Sequence, residues 1–206
     1  MIQVLGRLTS INVRKLVWAL DELGEPYERQ DWGLPLRDPN VPEFLALNPN
    51  AQVPVLIDAD GTTIWESNAI LVYLAQTRGA LLPASRGELA LALQWLGWQA
   101  SELNPAWGYA IQALMRKTPG YDDPDKIAGS ISRWSSKMGI LEDELAHGRP
   151  YIAGSELTIA DIALGLSIHR WFGTPFDKPD LPATKAYYDR LRERPASRNS
   201  LGAETP

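Results

Sequence analysis

The first side chains in the sequence whose types and spacing suggest chemistry are two polar residues at the start of a predicted helix. A short apolar strand, residues 2–5, leads into a turn that holds Ser10 and Asn12. After the turn, apolar residues follow at the spacing of one helix face: Val13, Leu16, Val17, Leu20 and Leu23. The unpaired N–H groups and the dipole at such a helix start favour an anion. Taken alone, Ser10 or Asn12 could equally be an N-cap, which stabilises a helix by about 1 kcal/mol.

The composition is that of an ordinary globular protein and excludes several function classes. The chain has 206 residues, 45% of them hydrophobic, and a net charge of -5. This acidic balance argues against nucleic-acid binding, which needs a basic surface. No apolar run is long enough to span a bilayer, and the N-terminus lacks the pattern of a secretory leader. We therefore expect a cytoplasmic protein with neither a nucleic-acid nor a membrane partner.

The sequence contains no cysteine and only two histidines, His147 and His169. Disulfides, thiolate metal sites and a cysteine nucleophile are therefore excluded, and a histidine-rich metal site is excluded as well. Any thiol chemistry must use a thiol that the substrate brings.

The first part of the chain alternates between strand and helix patterns. A second strand is predicted at residues 27–32, and a loop with a short helix near residues 41–46 follows. Residues 53–57 and 62–65 are predicted to form a hairpin, because an Asp-Gly turn joins them. Ser67 is the expected N-cap of the next helix.

From residue 87 onward the pattern is helical, after a linker at residues 77–86. One long helix is predicted up to residue 103, and Asn104-Pro105 should interrupt or kink it. A second helix should begin at Asp123-Pro124. Thr158 and Asp161 form a predicted capping box at the start of another helix. A last helix should begin near Pro182, which suits a first helical position.

Four motifs in this order resemble those of the cytosolic glutathione S-transferases, in particular bacterial, serine-type members similar to the theta and beta classes. They are the Ser10 to Asn12 turn, the stretch NPNAQVPVL at residues 48–56, Glu66-Ser67, and the Thr158 to Asp161 box. Each motif is weak alone, but the four together cover nearly the whole chain. The resemblance implies an α/β, thioredoxin-like glutathione-binding domain at residues 1–77, followed by an all-α helical bundle domain at residues 87–206.

The resemblance assigns the binding of glutathione to two of these motifs. Pro54 resembles the family's cis-proline, which lets the backbone of Val53 pair with the cysteinyl backbone of glutathione as an added strand would. Glu66 would accept from the ligand's ammonium, and Ser67 would donate to its carboxylate. Gln52 resembles a further ligand through its amide. Asn50 stands where many relatives carry lysine, so an ionic contact to the glycyl carboxylate is not expected from it.

The resemblance also assigns the thiol chemistry. Ser10 corresponds to the hydroxyl that donates to the glutathione sulfur, Asn12 to an assisting residue, and Thr9 is the rival hydroxyl. A free thiol has a pKa of about 8.5, and lowering it by roughly 2 units takes about 2.7 kcal/mol. One hydrogen bond to a charged acceptor supplies roughly 1.5 to 3 kcal/mol, and a helix start about 0.3 to 1 more. Activation by Ser10 would therefore need neither a metal nor a permanently bound cofactor, and glutathione would be a co-substrate.

The second substrate would be a small hydrophobic electrophile bound between the two domains. Leu8, Trp107, Met115 and Trp171 are the candidate lining residues, although they could equally be core or dimer contacts.

Three functions follow from the resemblance. The leading hypothesis is a glutathione S-transferase that acts in detoxification, as a homodimer like most of the family. The second is a glutathione-dependent disulfide reductase or peroxidase, in which glutathione supplies both sulfurs. The third is a non-catalytic, transferase-like module that binds a protein, against which the intact Ser10, Val53-Pro54 and Glu66-Ser67 motifs argue.

Overall fold

The computed structural model of the chain describes residues 1–202, which divide into two compact units. The first unit comprises Met1–Leu82 and the segment that begins at Arg194, and the second is Pro83–Glu193. The first is a mixed α/β unit and the second is helical, which confirms the predicted fold class. Within residues 1–202, no helix combines the length and the apolar character needed to cross a membrane.

The sheet of the first unit has four strands: β1 (Ile2–Leu5), β2 (Tyr27–Gln30), β3 (Val55–Ile57) and β4 (Thr63–Trp65). Their order is β2-β1-β3-β4, in which β1 and β2 are parallel and the other two pairs are antiparallel. The predicted hairpin is confirmed by the pairing of β3 with β4. The second strand is two residues shorter than predicted, because the chain leaves the sheet after Gln30 and buries Trp32 in the core.

Three helices accompany this sheet: α1 (Ile11–Leu23), α2 (Pro42–Leu45) and α3 (Ser67–Arg78). The predicted apolar face of α1 is buried except for Leu23, which is half-buried. The helix ends at Gly24 in the left-handed conformation, as a C-terminal glycine commonly does. Two cations on α1, Arg14 and Lys15, are also buried, which the apolar periodicity did not indicate.

The loop between α2 and β3 lies on a small apolar cluster. Leu5, Trp32, Phe44 and Val55 are its buried members, and Trp32 and Phe44 have ring centroids 4.8 Å apart. Val53 packs against this cluster from the loop side. The cluster therefore fixes the point at which the loop enters β3.

The segment after the last long helix returns to the first unit, which differs from the predicted domain of residues 87–206. A 3-10 turn (Pro195–Ser197) and α9 (Arg198–Leu201) contact α1. The Arg194 guanidinium donates to both carboxylate oxygens of Glu22, at 2.6 and 2.7 Å, and Ser200 Oγ donates to the Arg14 carbonyl. These hydrogen bonds hold residues 194–202 on α1; residues 203–206 lie outside the described residues.

The second unit contains α4 (Arg86–Trp98), α5 (Asn104–Ala110), α6 (Pro124–Leu145), α7 (Ile159–Gly173) and α8 (Pro182–Arg192). Asn104-Pro105, predicted to interrupt or kink the helix, does not interrupt it: two π-helical segments, Gln99–Leu103 and Ile111–Met115, continue the helical path on either side of α5. A wider turn before Pro105 accommodates the missing proline N–H. Ser130 Oγ also lies between Ala106 O and Ala110 N, at 2.7 and 3.1 Å, where a helical hydrogen bond would normally form.

The predicted capping box at α7 is confirmed. Thr158 donates to Oδ2 of Asp161 from both its backbone N and its hydroxyl, each at 2.7 Å. The other carboxylate oxygen accepts from Ile152 N and Tyr187 Oη. Burial raises the pKa of Asp161 above its ordinary value, and the four hydrogen bonds that its carboxylate accepts offset only part of that rise. Asp161 therefore joins the start of α7 to a preceding loop and to α8.

Candidate functional site

The first unit contains a cavity of about 360 Å³ between the start of α1, the loop before β3 and the start of α3. Seven of the residues predicted for glutathione binding or catalysis line this cavity. Asn48 and Trp65 line it as well and were not predicted as site residues. The lining residues are Asn12, Asn48, Asn50, Gln52, Val53, Pro54, Trp65, Glu66 and Ser67. The three predicted motifs of this unit therefore supply one site.

Asn48 shapes the loop that carries much of this cavity. Its side chain is buried, and Nδ2 donates to the Gln52 carbonyl at 2.7 Å. Its Oδ1 accepts from both the backbone N and the side-chain Nδ2 of Asn50, each at 3.0 Å. The Asn-Pro-Asn turn was visible in the sequence, but the side-chain hydrogen bonds that make Asn48 part of the site were not.

The Val53–Pro54 peptide bond is cis, in agreement with the resemblance. A second cis bond, Leu34–Pro35, was not predicted. Val53 and Pro54 both line the cavity wall. Within residues 1–202, neither the N–H nor the C=O group of Val53 has a protein hydrogen-bond partner. Val53 and Gln52 also line an adjoining cavity of about 330 Å³. An extended ligand at Val53 could therefore pair with the backbone and continue to either side.

Glu66 and Ser67 lie where β4 passes into α3. Glu66 is the N-cap residue: its φ is +75°, and its Oε1 accepts from Asn68 N at 3.1 Å. Ser67 is the first helical residue, so the prediction that it is the cap was wrong. A positive φ at a non-glycine residue is strained, and strain of this kind clusters at functional sites. Ser67 is buried, and its Oγ accepts from Lys15 Nζ at 3.3 Å.

The turn before α1 presents three polar side chains with different environments. Ser10 is the N-cap residue, but its side chain makes no capping hydrogen bond, and in the described chain its hydroxyl has no protein partner. The Thr9 hydroxyl is exposed and accepts from Arg7 Nη1. Asn12 lines the cavity, whereas Ser10 and Thr9 are not among its lining residues. The interpretation of Ser10 as a side-chain cap is therefore not supported.

The candidate residues for the electrophile have distinct environments within their own units. Leu8 is 39% exposed in the first unit. In the second unit Trp107 is buried, Trp171 is fully buried, and both pack edge-on against Trp134, with centroids 5.4 and 5.0 Å away. Within the second unit these two indoles belong to a buried aromatic cluster, and their contact with an electrophile stays a prediction. Met115 is half-buried at the end of a π-helical segment.

Comparisons with known proteins agree with this fold. The family model for the glutathione S-transferase N-terminal domain matches residues 9–77, and the model for the C-terminal domain matches residues 124–190. The chain is 34% identical over 204 residues to the glutathione S-transferase GstB of Escherichia coli, with 96% of each chain covered. The chain belongs to the glutathione S-transferase family.

Two further relatives bear on the activity. The theta class glutathione S-transferase of Xanthomonas axonopodis pv. citri, solved with glutathione bound, is 34% identical and superposes with a TM-score of 0.93. That comparison covers 100% of this chain and 99% of the other. The disulfide-bond oxidoreductase YfcG of Escherichia coli is 32% identical over 169 residues, covering 78% of this chain and 76% of its own.

Proposed function

We propose that the protein is a glutathione S-transferase, which binds glutathione in the 360 Å³ cavity and activates its thiol for attack on a small electrophile. The observation that carries the proposal is the unpaired backbone of Val53, which shares one cavity with Glu66 and Ser67. A γ-glutamyl peptide has the backbone amides and the charged end group that such a cavity complements. The related transferase that was solved with glutathione supports this ligand.

The binding roles follow from the polar groups around the cavity. The cysteinyl backbone pairs with Val53 N–H and C=O, as a strand added to a sheet edge would. The γ-glutamyl ammonium contacts the carboxylate of Glu66, and the γ-glutamyl carboxylate accepts from the hydroxyl of Ser67 at the start of α3. Gln52 and Asn50 offer side-chain amides beside Val53 and are neutral ligands to the remaining peptide.

The thiol is activated by donors at the start of α1. Ser10 is the proposed donor to the sulfur, because it is the N-cap residue of α1 and its hydroxyl makes no capping bond, whereas the exposed Thr9 hydroxyl precedes the cap and contacts Arg7. Asn12 assists from the cavity wall. The donors stabilise the thiolate, and the serine keeps its own proton.

The test is an ultraviolet titration of glutathione bound to the protein, which records thiolate absorbance against pH. The bound thiol of the wild-type protein should have a pKa below that of free glutathione. Ser10→Ala should raise that pKa by about 1 to 2 units, since one hydrogen bond to a charged acceptor is worth roughly 1.5 to 3 kcal/mol. Thr9→Ala is the matched control and should leave it unchanged. Glutathione binding without any lowering of the thiol pKa would contradict the proposed activation, and absence of binding would overturn the function.

A second candidate activity is glutathione-dependent disulfide reduction. It is favoured by one specific pair of observations: Asn12 lines the cavity, and one relative is a disulfide-bond oxidoreductase. Parallel assays with chlorodinitrobenzene and with hydroxyethyl disulfide separate the two. Conjugation of the aryl chloride, with a slower or absent disulfide reaction, supports the transferase.

The remaining features are proposals that rest on the family. The proposed contacts with the electrophile are Leu8, Trp107, Met115 and Trp171, of which Leu8 and Met115 are the more accessible. A homodimeric state and a cytoplasmic location are predicted as well; light scattering of the purified protein and cell fractionation test them.

A further inference from the structure

Lys15 is a buried cation directly behind the proposed glutathione cavity. It lies on α1 and is 1% exposed. Its Nζ donates to Asn68 Oδ1 at 2.8 Å and to Ser67 Oγ at 3.3 Å. Both acceptors belong to the first turn of α3, 52 and 53 residues away in the sequence.

A fully buried position is unusual for a lysine. Placing a charged amine out of water is unfavourable, so a buried ammonium depends on the groups that it contacts. Apolar side chains fill the neighbouring buried positions Leu16 and Val17 on the same helix. Because the Lys15 ammonium contacts Ser67, which lines the cavity, the charge of Lys15 can act on a ligand that is bound there.

Lys15 determines which way the Ser67 hydroxyl can donate. A serine hydroxyl has one proton and two lone pairs. Because the ammonium of Lys15 occupies a lone pair, the proton of Ser67 is left for another acceptor. Within residues 1–202, Ser67 Oγ donates to no protein group. Ser67 lines the cavity, so its proton and the nearby positive charge are both available to an anion bound there.

The same ammonium is linked to Glu66. Asn68, which accepts from Lys15 through its side chain, donates from its backbone N to Glu66 Oε1 at 3.1 Å. One buried cation therefore holds the groups proposed for both charged ends of the γ-glutamyl moiety.

We propose that Lys15 is a positioning residue that, through Ser67, makes the site select an ionised α-carboxylate on the γ-glutamyl group. This inference rests on the proposed function. The probe that isolates it is γ-aminobutyryl-cysteinylglycine, which retains the amine, thiol and peptide of glutathione and lacks only that carboxylate.

The experiment is calorimetric titration of the full-length protein with glutathione and with γ-aminobutyryl-cysteinylglycine. The wild-type protein should bind glutathione roughly 10- to 100-fold more tightly, the range expected for a hydrogen bond to a charged group. Lys15→Met should reduce this ratio by about 10-fold, because only glutathione has the carboxylate that Lys15 supports through Ser67. An effect that Lys15 exerts on the amine through Asn68 and Glu66 is common to both ligands and cancels in the ratio.

Two variants make the assignment specific. Arg14→Met is the matched control: Arg14 is a buried cation on the same helix, but it donates to the Ser200 carbonyl at 3.2 Å, so its removal should leave the ratio intact. In a Ser67→Ala background, Lys15→Met should have little further effect on the ratio, because the residue through which it acts is gone.

The possible outcomes separate this inference from the proposed function. If the wild-type protein binds glutathione and folded Lys15→Met keeps the wild-type ratio, the role of Lys15 is overturned and the proposed function stands. If the wild-type protein fails to bind glutathione, both are overturned. Should Lys15→Met not fold, Lys15→Gln, which retains a donor for Asn68 but no charge, gives the same comparison of ratios.

Discussion

The side-chain amide of Asn48 donates a 2.7 Å hydrogen bond to the carbonyl oxygen of Gln52 and closes the loop that leads to the Val53–Pro54 bond. Asn48 is 2% exposed, so its polar atoms are shielded from water and depend on their partners in the loop. The hydrogen bonds of the Asn48 side chain therefore hold the loop in the conformation that places the Val53 backbone at the cavity.

Replacing Asn48 should disturb both stability and binding. In Asn48→Ala the Gln52 carbonyl and the Asn50 N–H lose their partner, which should lower the free energy of unfolding by about 1 to 3 kcal/mol. Glutathione affinity should fall in the same variant, because the loop no longer fixes Val53. Urea unfolding and calorimetry measure the two effects. Asn199→Ala, an exposed asparagine of the same unit, is the control and should change neither; equal behaviour of the two variants would remove Asn48 from the account of the site.

Gly6 controls how closely β1, α1 and the Val53 loop approach one another. Its φ is +154°, and a Cβ atom added there would lie 2.4 Å from Val13 Cγ2 and 3.2 Å from Val53 Cβ. Gly6→Ala should therefore destabilise the protein by about 1 to 3 kcal/mol and weaken glutathione binding, since both walls of the cavity must shift. Urea unfolding measures the first effect and calorimetry the second.

A double variant tests the cause of that loss. Val13→Ala removes the nearest methyl groups, so Gly6→Ala/Val13→Ala should be less destabilised than the sum of the two single variants. Strict additivity would mean that the strained backbone of Gly6, and not its contact with Val13, dominates.

Asp58 should contribute an acid-sensitive part of the stability. The Arg78 guanidinium donates to both of its carboxylate oxygens, at 2.9 and 3.0 Å, and Tyr73 Oη donates at 2.7 Å. The hydrogen bond from Arg78 is the main cause that lowers the pKa of Asp58 from 3.8 to about 2. A carboxyl group whose pKa is lower in the folded than in the unfolded protein stabilises the fold at pH values above its unfolded-state pKa. That stabilisation is lost as the pH falls toward its folded-state pKa.

Asp58→Asn should thus lower the free energy of unfolding at pH 7 by about 2 kcal/mol. The wild-type protein should lose this difference between about pH 4 and pH 2, so the two stability curves converge in acid. Urea unfolding across that range measures it. Glu28→Gln, at an exposed position of β2 in the same unit, is the control and should keep the wild-type pH profile. A constant gap between Asp58→Asn and wild type down to pH 2 would contradict the assignment.

Local sequence signals predicted much of the fold. They did not indicate features that depend on an unusual backbone conformation or on burial by residues distant in the sequence. The Asp-Gly turn predicted the hairpin, and the Thr158–Asp161 spacing predicted the capping box, because each depends on residues a few positions apart. Ser67 was misassigned as a cap because Glu66 adopts a positive φ that residue type does not indicate. The full burial of Trp171 was not indicated by the sequence, because sequence alone does not distinguish an aromatic side chain that lines a cavity from one that fills a core.

The sequence by itself determined the chemistry that is available. The absence of cysteine requires any thiol to come from the substrate, and the resemblance of the Val53-Pro54 and Glu66-Ser67 motifs predicts that these residues bind glutathione. The tertiary structure decided which side chains meet. Lys15 reaches the start of α3, Asn48 supports the Val53 loop, and the segment from Arg194 packs on α1. The physical reason is that a buried polar group is tolerated only beside its partner, and folding alone brings partners such as Lys15 and Ser67 together across 52 residues.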